Sequence, residues 1–292
     1  MRTPIIPVAA LAVAGLLAAA CAPADQNNPT SSATGSLTPG QGACAPGQLK
    51  TLHQGTLTFG TDEPVYEPWF SNDNPADGQG FESAVAYAIA TKLGYAGKQV
   101  SWVRVSFNAA IQPGPKTYDA DLNEFSITDE RRKAVDFSAP YYDVTQAVIT
   151  VKGSPGATAH SLADLRGLKI GAQVGTTSYD AATNVVRPTR QVAVYNNNDD
   201  AKQALGNGQI QALVVDLPTA FEITGAGEVK DSTIIGQLAT SGPKEQFGVV
   251  LDKGSALTGC VSAAVDALRA DRTLAKLTDK WLSQVGNAPV LK

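Results

Sequence analysis

The chain has 292 residues, enough for two ordinary domains, each with its own core. Hydrophobic residues at 43% and charged residues at 17% mark a globular chain and exclude a disordered one. A formal charge of −4, with no Lys/Arg run long enough to offer a polyanion footprint, argues against nucleic acid as a partner.

Residues 1–20 read as a signal peptide and stay outside fold reasoning. Arg2 supplies a thin positive start, and the apolar run from Val8 to Ala20 is too short for a comfortable membrane span. Leu17-Ala18-Ala19-Ala20-Cys21 resembles a bacterial lipobox, although its leucine sits one place further out than usual. The other reading is a plain secretory cleavage site beside an incidental cysteine. Residues 21–47 are rich in Pro, Ser, Thr, Gly, Asn and Gln and read as a flexible, lipid-anchored tether. Such a chain would be held at the outer face of the cell membrane. His53 and His160 are the only histidines, and no cysteine pair has ligand spacing, so neither a metal nor another cofactor is expected.

Strand and helix signals alternate from about residue 55. Leu57-Thr58-Phe59-Gly60 reads as a short strand leading into Thr61-Asp62-Glu63. Phe81, Val85, Ala88, Ile89 and Leu93 fall at helical spacing, and Gly94 ends that helix. Trp102 to Val105 is the next strand. Thr128 is suited to cap a helix with Asp129 and Glu130 in its first turn, and Arg131 in that turn could grip a carboxylate in a bidentate fork. The competing reading of that tetrapeptide alone is an ordinary charged first turn. Ala147 to Val151 is extended, and Gly153-Ser154-Pro155-Gly156 is a loop. Ser161 to Gly167 opens a new unit with a strand at Leu168–Gly171 and a helix from about Thr176. Val192–Tyr195, Ala212–Val215 and Phe247–Leu251 supply further strands, and two helical stretches close the chain, one carrying Leu257, Val261, Ala264, Val265 and Leu268, the other Leu274, Leu277 and Trp281. This alternation predicts an α/β protein of mostly parallel sheets flanked by helices, and no internal repeat is visible.

Ser126-Ile127-Thr128-Asp129-Glu130-Arg131, then Val135-Asp136-Phe137-Ser138 and Pro140-Tyr141-Tyr142, resemble the most recognisable segment of the family 3 extracellular solute-binding proteins. These are the amino-acid receptors of ABC importers, and the resemblance covers roughly residues 55–285. It implies the two-lobe periplasmic-binding-protein fold of type II, with lobe one at 48–147 plus 246–292 and lobe two at 148–245. The ligand then lies in the cleft, beyond the carboxyl ends of the strands. The implied partners are an amino acid and a membrane permease, for a protein acting as a monomer. Gln112-Pro113-Gly114-Pro115 departs from the family pattern by interrupting a segment that is usually a short helix.

The resemblance also carries a set of site residues. Arg131 matches the arginine that holds the ligand carboxylate, and Gly175-Thr176-Thr177 matches a Gly-Thr-Thr turn whose Thr177 amide and hydroxyl donate to the same group; alone, that turn could be a plain helix cap. Asp216, after the apolar Ala212–Val215, matches the acid that binds the α-ammonium, or else merely caps the next helix. Tyr66 and Phe107 match aromatic walls, with core packing as the other role for either ring. Asn123 and Ser126 match positions that contact ligand ammonium and side chain. Glu124 stands where many members have a small residue, and Asp62 or Glu63 lies where receptors for basic amino acids keep an acid. Two acids there suit Lys, Arg or ornithine; alternatively Glu124 pairs with Arg131, Arg132 or Lys116 and uncharged polar ligands are favoured. With Cys21 consumed by lipid, Cys44 and Cys260 remain as a disulfide pair, or as two free buried thiols. The expected function is therefore capture of a polar or basic L-amino acid, without catalysis. The alternative is an enzyme on the same fold resembling cyclohexadienyl dehydratase, for which Glu124 is the proton donor worth naming.

Overall fold

A computed structural model of the protein describes residues 1, 37–239, 242–283, 286 and 288–292. The expected signal peptide, Cys21 and the tether as far as residue 36 lie outside the described residues. Four strands come first: β1 (Leu57–Thr61), β2 (Val100–Arg104), β3 (Ala120–Asp121) and β4 (Val135–Phe137). β5 (Tyr142–Val144) then leads out to β6 (Gln146–Val151), β7 (Ile170–Gln173), β8 (Ala193–Tyr195), β9 (Ala212–Asp216) and β10 (Ser232–Leu238). β11 (Glu245–Phe247) leads back to β12 (Val250–Asp252), and β13 (Val290–Leu291) ends the chain.

These strands build two sheets and therefore two lobes. The first runs in the order β2-β1-β3-β12-β4 and the second β13-β10-β6-β9-β7-β8. In each sheet one strand runs against all its neighbours, β12 in the first and β6 in the second. Each reversed strand is the first laid down after a crossing between lobes. The chain enters a lobe at its cleft edge, so that strand must run away from the cleft while the βα strands run towards it. The crossings themselves, β5 and β11, pair antiparallel as a two-stranded hinge.

Alternation of side chains explains how one strand serves two cores. Along β6 and β9, Val148, Ala212 and Val214 point into one cluster, and Ala147, Ile149, Leu213 and Val215 into another. The helix Phe81–Lys92 buries Phe81, Val85 and Ile89 on the first lobe, which follows the predicted spacing. The helix Phe107–Ala110 is only four residues long and stops ahead of the Gln112–Pro115 interruption.

Two boundaries differ from expectation. Residues before 48 already belong to the fold: Gln41 N donates to Thr38 O at 3.2 Å, Gly42–Cys44 forms a 3₁₀ turn, and Cys44 is fully buried. The reason is covalent, since Cys44 is disulfide-bonded to Cys260 of the helix Thr258–Ala270, with Cα atoms 5.4 Å apart. At the other end, β13 pairs with β10 in the second sheet rather than staying with the first lobe as the 246–292 division has it. Gln237 supplies the attachment, its N–H donating to Pro289 O and its side-chain Nε2 to Ala288 O, both at 2.7 Å.

Candidate functional site

The loops that leave β1, β3, β7 and β9 converge on one interlobe cavity, at the carboxyl ends of strands. Lobe one contributes Asp62, Pro64, Tyr66, Phe107, Asn123 and Glu124; lobe two contributes Gln173, Thr176, Thr177, Ser178, Asn198, Val215 and Asp216. Eight of the sequence-predicted residues thus share the cavity. Ser126 and Arg131 stand beside it, and Glu63 does not belong to it. Glu63 is exposed, because neighbouring side chains here point opposite ways and Asp62 takes the inward one.

Arg131 opens a four-residue helix, Arg131–Ala134. Thr128 caps it as predicted: Arg131 N donates to Thr128 Oγ1 at 3.1 Å and Arg132 N to Thr128 O at 3.0 Å. Asp129 and Glu130 lie within the turn that these two bonds close, and both are exposed. The Arg131 side chain is 8% exposed and lies 5.3 Å over the Phe107 ring, which itself stacks on Phe125. Nη1 donates to Ser126 O at 2.7 Å, and Nη2 reaches across the cleft to Gly175 O at 3.0 Å. Gly175 has φ +73°, and a Cβ there would meet Asn108 Oδ1 of lobe one at 2.3 Å. Only glycine permits this approach. Next to it, Thr176 caps the helix Thr177–Ala181 by accepting from Tyr179 N at 3.2 Å, while Thr177 Oγ1 lies 3.2 Å from Ser126 Oγ.

Asp216 occupies the residue before the helix Leu217–Gly225, yet its side chain makes no capping bond. Its Oδ1 instead accepts from Gln146 Nε2 at 2.6 Å. The same amide donates to Glu245 Oε1 and Oε2 at 3.1 and 3.0 Å, and Ser126 Oγ donates to Glu245 Oε1 at 2.6 Å. Burial holds the Asp216 carboxyl well above the usual carboxylate range, with the Glu245 charge adding to it.

Glu124 sits at φ +53°, a left-handed conformation that costs a non-glycine residue about 1 kcal/mol or more. Two contacts hold it there. Its N–H donates to Glu82 Oε1 at 2.7 Å, and its Oε2 accepts from Thr219 Oγ1 at 3.0 Å. Thr219, on lobe two, accepts in turn from Trp69 Nε1 of lobe one at 3.0 Å. The alternative pairing with a cation is not what the structure places here. Arg131 binds carbonyls, Lys116 Nζ donates to Gln112 O, and Arg132 lies over Phe137. Burial raises the Glu124 carboxyl well above its ordinary range, and the nearby Asp216 charge raises it further. Asp62 is also raised by burial, against hydrogen bonds from Glu63 N and Phe107 N. The Tyr66 ring carries Lys202 Nζ of lobe two 4.8 Å from its centroid.

Family comparison decides what kind of protein carries this cleft. The model of the bacterial extracellular solute-binding proteins, family 3, matches residues 57–284. The chain belongs to that family. The L-arginine-binding protein of Pseudomonas aeruginosa is 33% identical over 244 residues, covering 77% of this chain and 90% of that protein. The L-cystine-binding protein TcyJ of Escherichia coli (strain K12) is 30% identical over 235 residues, covering 80% of this chain and 84% of that one. A solved structure of an ancestral arginine-binding protein bound to glutamine matches with a TM-score of 0.65 at 32% identity, over 78% of this chain and 98% of that one. The protein is a two-lobe solute-binding protein of the ABC amino-acid importer family.

This solute-binding protein carries a buried acid behind its cleft that makes stability depend on pH. Glu82 is fully buried, accepts from Tyr141 OH, and is pushed up to about 7 from 4.5, chiefly by burial. Below pH 4.5 the carboxyl is neutral in both folded and unfolded chains. Between 4.5 and 7 the unfolded chain releases its proton and the folded one keeps it, so folding stability falls as pH rises. The full loss, reached above pH 7, is about 3 kcal/mol. Urea titrations at pH 4.5 and 7.5 are expected to show this difference, and Glu82→Gln to reduce it; an unchanged difference in that variant would assign the effect elsewhere.

Proposed function

We propose that the protein captures a basic L-amino acid between its lobes and presents it to a membrane permease of an ABC importer. The observation that carries this reading is charge. Asp62, Glu124 and Asp216 line the cavity, and no lysine or arginine among the described residues does. A zwitterion with a cationic side chain supplies the two positive groups that this surplus lacks. The relatives named for arginine support the class, while the cystine-binding relative and the glutamine-bound ancestor keep polar ligands within reach of the same scaffold.

The assigned roles follow from position. Arg131 grips the ligand carboxylate, whose charge-assisted bonds replace the neutral Gly175 carbonyl, and the Thr176–Thr177 turn donates to the same group. Asp216 takes the α-ammonium, Glu124 and Asp62 the side-chain cation. Tyr66 and Phe107 form the walls, and Asn123 and Ser126 complete the polar contacts. Contacts across the cleft exist only when the lobes meet, so a ligand that joins them favours closure. Cys21 would hold the receptor to the outer face of the membrane by lipid, with the receptor acting as a monomer.

A thermal-shift screen of the twenty amino acids plus ornithine and citrulline tests the class, since a tight ligand raises the melting temperature. The variant Glu124→Gln should weaken L-arginine at least tenfold while changing L-glutamine binding little. Equal losses for both would remove Glu124 from the side-chain subsite. One observation favours a second reading: the Glu124 carboxyl, which burial raises well above its ordinary range, suits an acid-catalysed dehydration of a prephenate-type acid. Turnover of such an acid, abolished in Glu124→Gln, would move the protein to that class.

A further inference from the structure

Five residues join the two charged clamps by an unbroken hydrogen-bonded path that runs through the hinge. Arg131 Nη1 donates to Ser126 O at 2.7 Å, and Ser126 Oγ donates to Glu245 Oε1 at 2.6 Å. Glu245 accepts from Gln146 Nε2, which also donates to Asp216 Oδ1 at 2.6 Å. Glu245 opens β11 and Gln146 opens β6, directly after β5, so both stand where the two crossing segments meet the cleft. We propose that Gln146 and Glu245 are positioning residues that fix the spacing of Arg131 and Asp216 and tie ligand-ammonium recognition to hinge geometry. The inference rests on the receptor reading above.

The chemistry of one primary amide carries the case. Gln146 Nε2 has two hydrogens and turns them towards two carboxylates, Asp216 and Glu245, which lie close together inside the protein. Its orientation is fixed from the other end, because Gln146 Oε1 accepts from Ser178 Oγ at 2.7 Å. An apolar residue here would leave the two carboxylates facing each other without the donor they share, and Ser126 Oγ would serve Glu245 alone. A hinge motion that moved β6 against β11 would change the separation of the two carboxylates and of the guanidinium that Ser126 holds. An ammonium bound at Asp216 therefore favours the one hinge position in which the path is intact.

The two residues act on Asp216 with opposite sign. The hydrogen bond from Gln146 favours its carboxylate, as does Arg131, whereas the charges of Glu245 and Glu82 disfavour it; Glu124 and Tyr142 also feel the Asp216 charge. An ammonium ligand needs the carboxylate, so affinity falls as pH drops through the Asp216 titration in the free protein. In Glu245→Gln the acid limb of L-arginine binding is expected to move to lower pH by about half a unit or more. In Gln146→Leu it is expected to move to higher pH by a similar amount. A part that merely stabilises the fold would weaken binding without moving the two limbs apart.

The experiment is calorimetry of the full mature chain with L-arginine between pH 4.5 and 8, beside melting curves of each variant. Limbs displaced in opposite directions support the inference; coincident limbs, or displacement in one direction by both variants, overturn it while leaving the receptor reading intact. Should Gln146→Leu fail to fold, the Glu245→Gln limb decides alone, and no displacement there overturns the inference. A wild-type chain that binds neither L-arginine nor L-glutamine overturns the receptor reading and this inference with it.

Discussion

Replacing Arg131 by alanine is expected to raise the dissociation constant for an amino-acid ligand by roughly a hundred- to several-thousandfold while the fold survives. The guanidinium is nearly buried and lies over Phe107, and beyond its bonds to Ser126 O and Gly175 O it has further N–H groups for a planar two-point grip on a carboxylate. Without it, the ligand carboxylate enters the closed cleft unpaired, at a cost of about 3–5 kcal/mol, and each 1.4 kcal/mol is about tenfold in affinity. The fold is expected to survive because Arg131 belongs to none of the apolar cores and spans the cleft to a part-buried carbonyl, Gly175 O. Arg131→Lys keeps the charge and loses the fork, so an intermediate loss is expected. Calorimetry in which Arg131→Ala binds like the wild type would remove this residue from the site.

The second large effect concerns stability. Exchanging Cys44 and Cys260 together for serine is expected to cost about 5 kcal/mol, because the bridge closes a loop with a sequence separation of 216 residues. That is a large share of the stability of a typical domain. Both cysteines belong to the core cluster of lobe one, away from the cavity, so affinity for ligand should change little in whatever fraction remains folded. Guanidinium titration of the double variant beside the wild type measures the loss. A midpoint unchanged by the double substitution would mean that the unfolded chain gains nothing when the bridge is cut.

How much of this was legible in the sequence depends on whether a residue acts through local chemistry or through tertiary placement. Arg131 and its cap Thr128 were legible because a helix start is a local event, written in four consecutive residues. Asp216 was legible as an acid ending an apolar strand, though only the structure shows its oxygens turned from the helix start to Gln146. Asp62 and Glu63 could not be told apart, since a single peptide step decides which side chain faces the cavity. Gln146 and Glu245 gave no signal at all. Each is one polar residue in or next to a crossing segment, and their meaning arises when residues 99 positions apart share an amide. Thr219 and Trp69 escaped for the same reason, as a hydroxyl and an indole that find each other across the cleft. The early end of the tether needed the disulfide partner, and β13 needed the open edge of β10, neither of which is adjacent in sequence.

The placement of β13 has a mechanical consequence. Leu282 packs in the core of lobe one and Ala288 in that of lobe two, so the backbone passes between the halves a third time, apart from the paired hinge. Six peptide steps reach at most about 20 Å when taut. However far the hinge could swing alone, this leash caps the gape of the jaws for as long as the last strand stays docked.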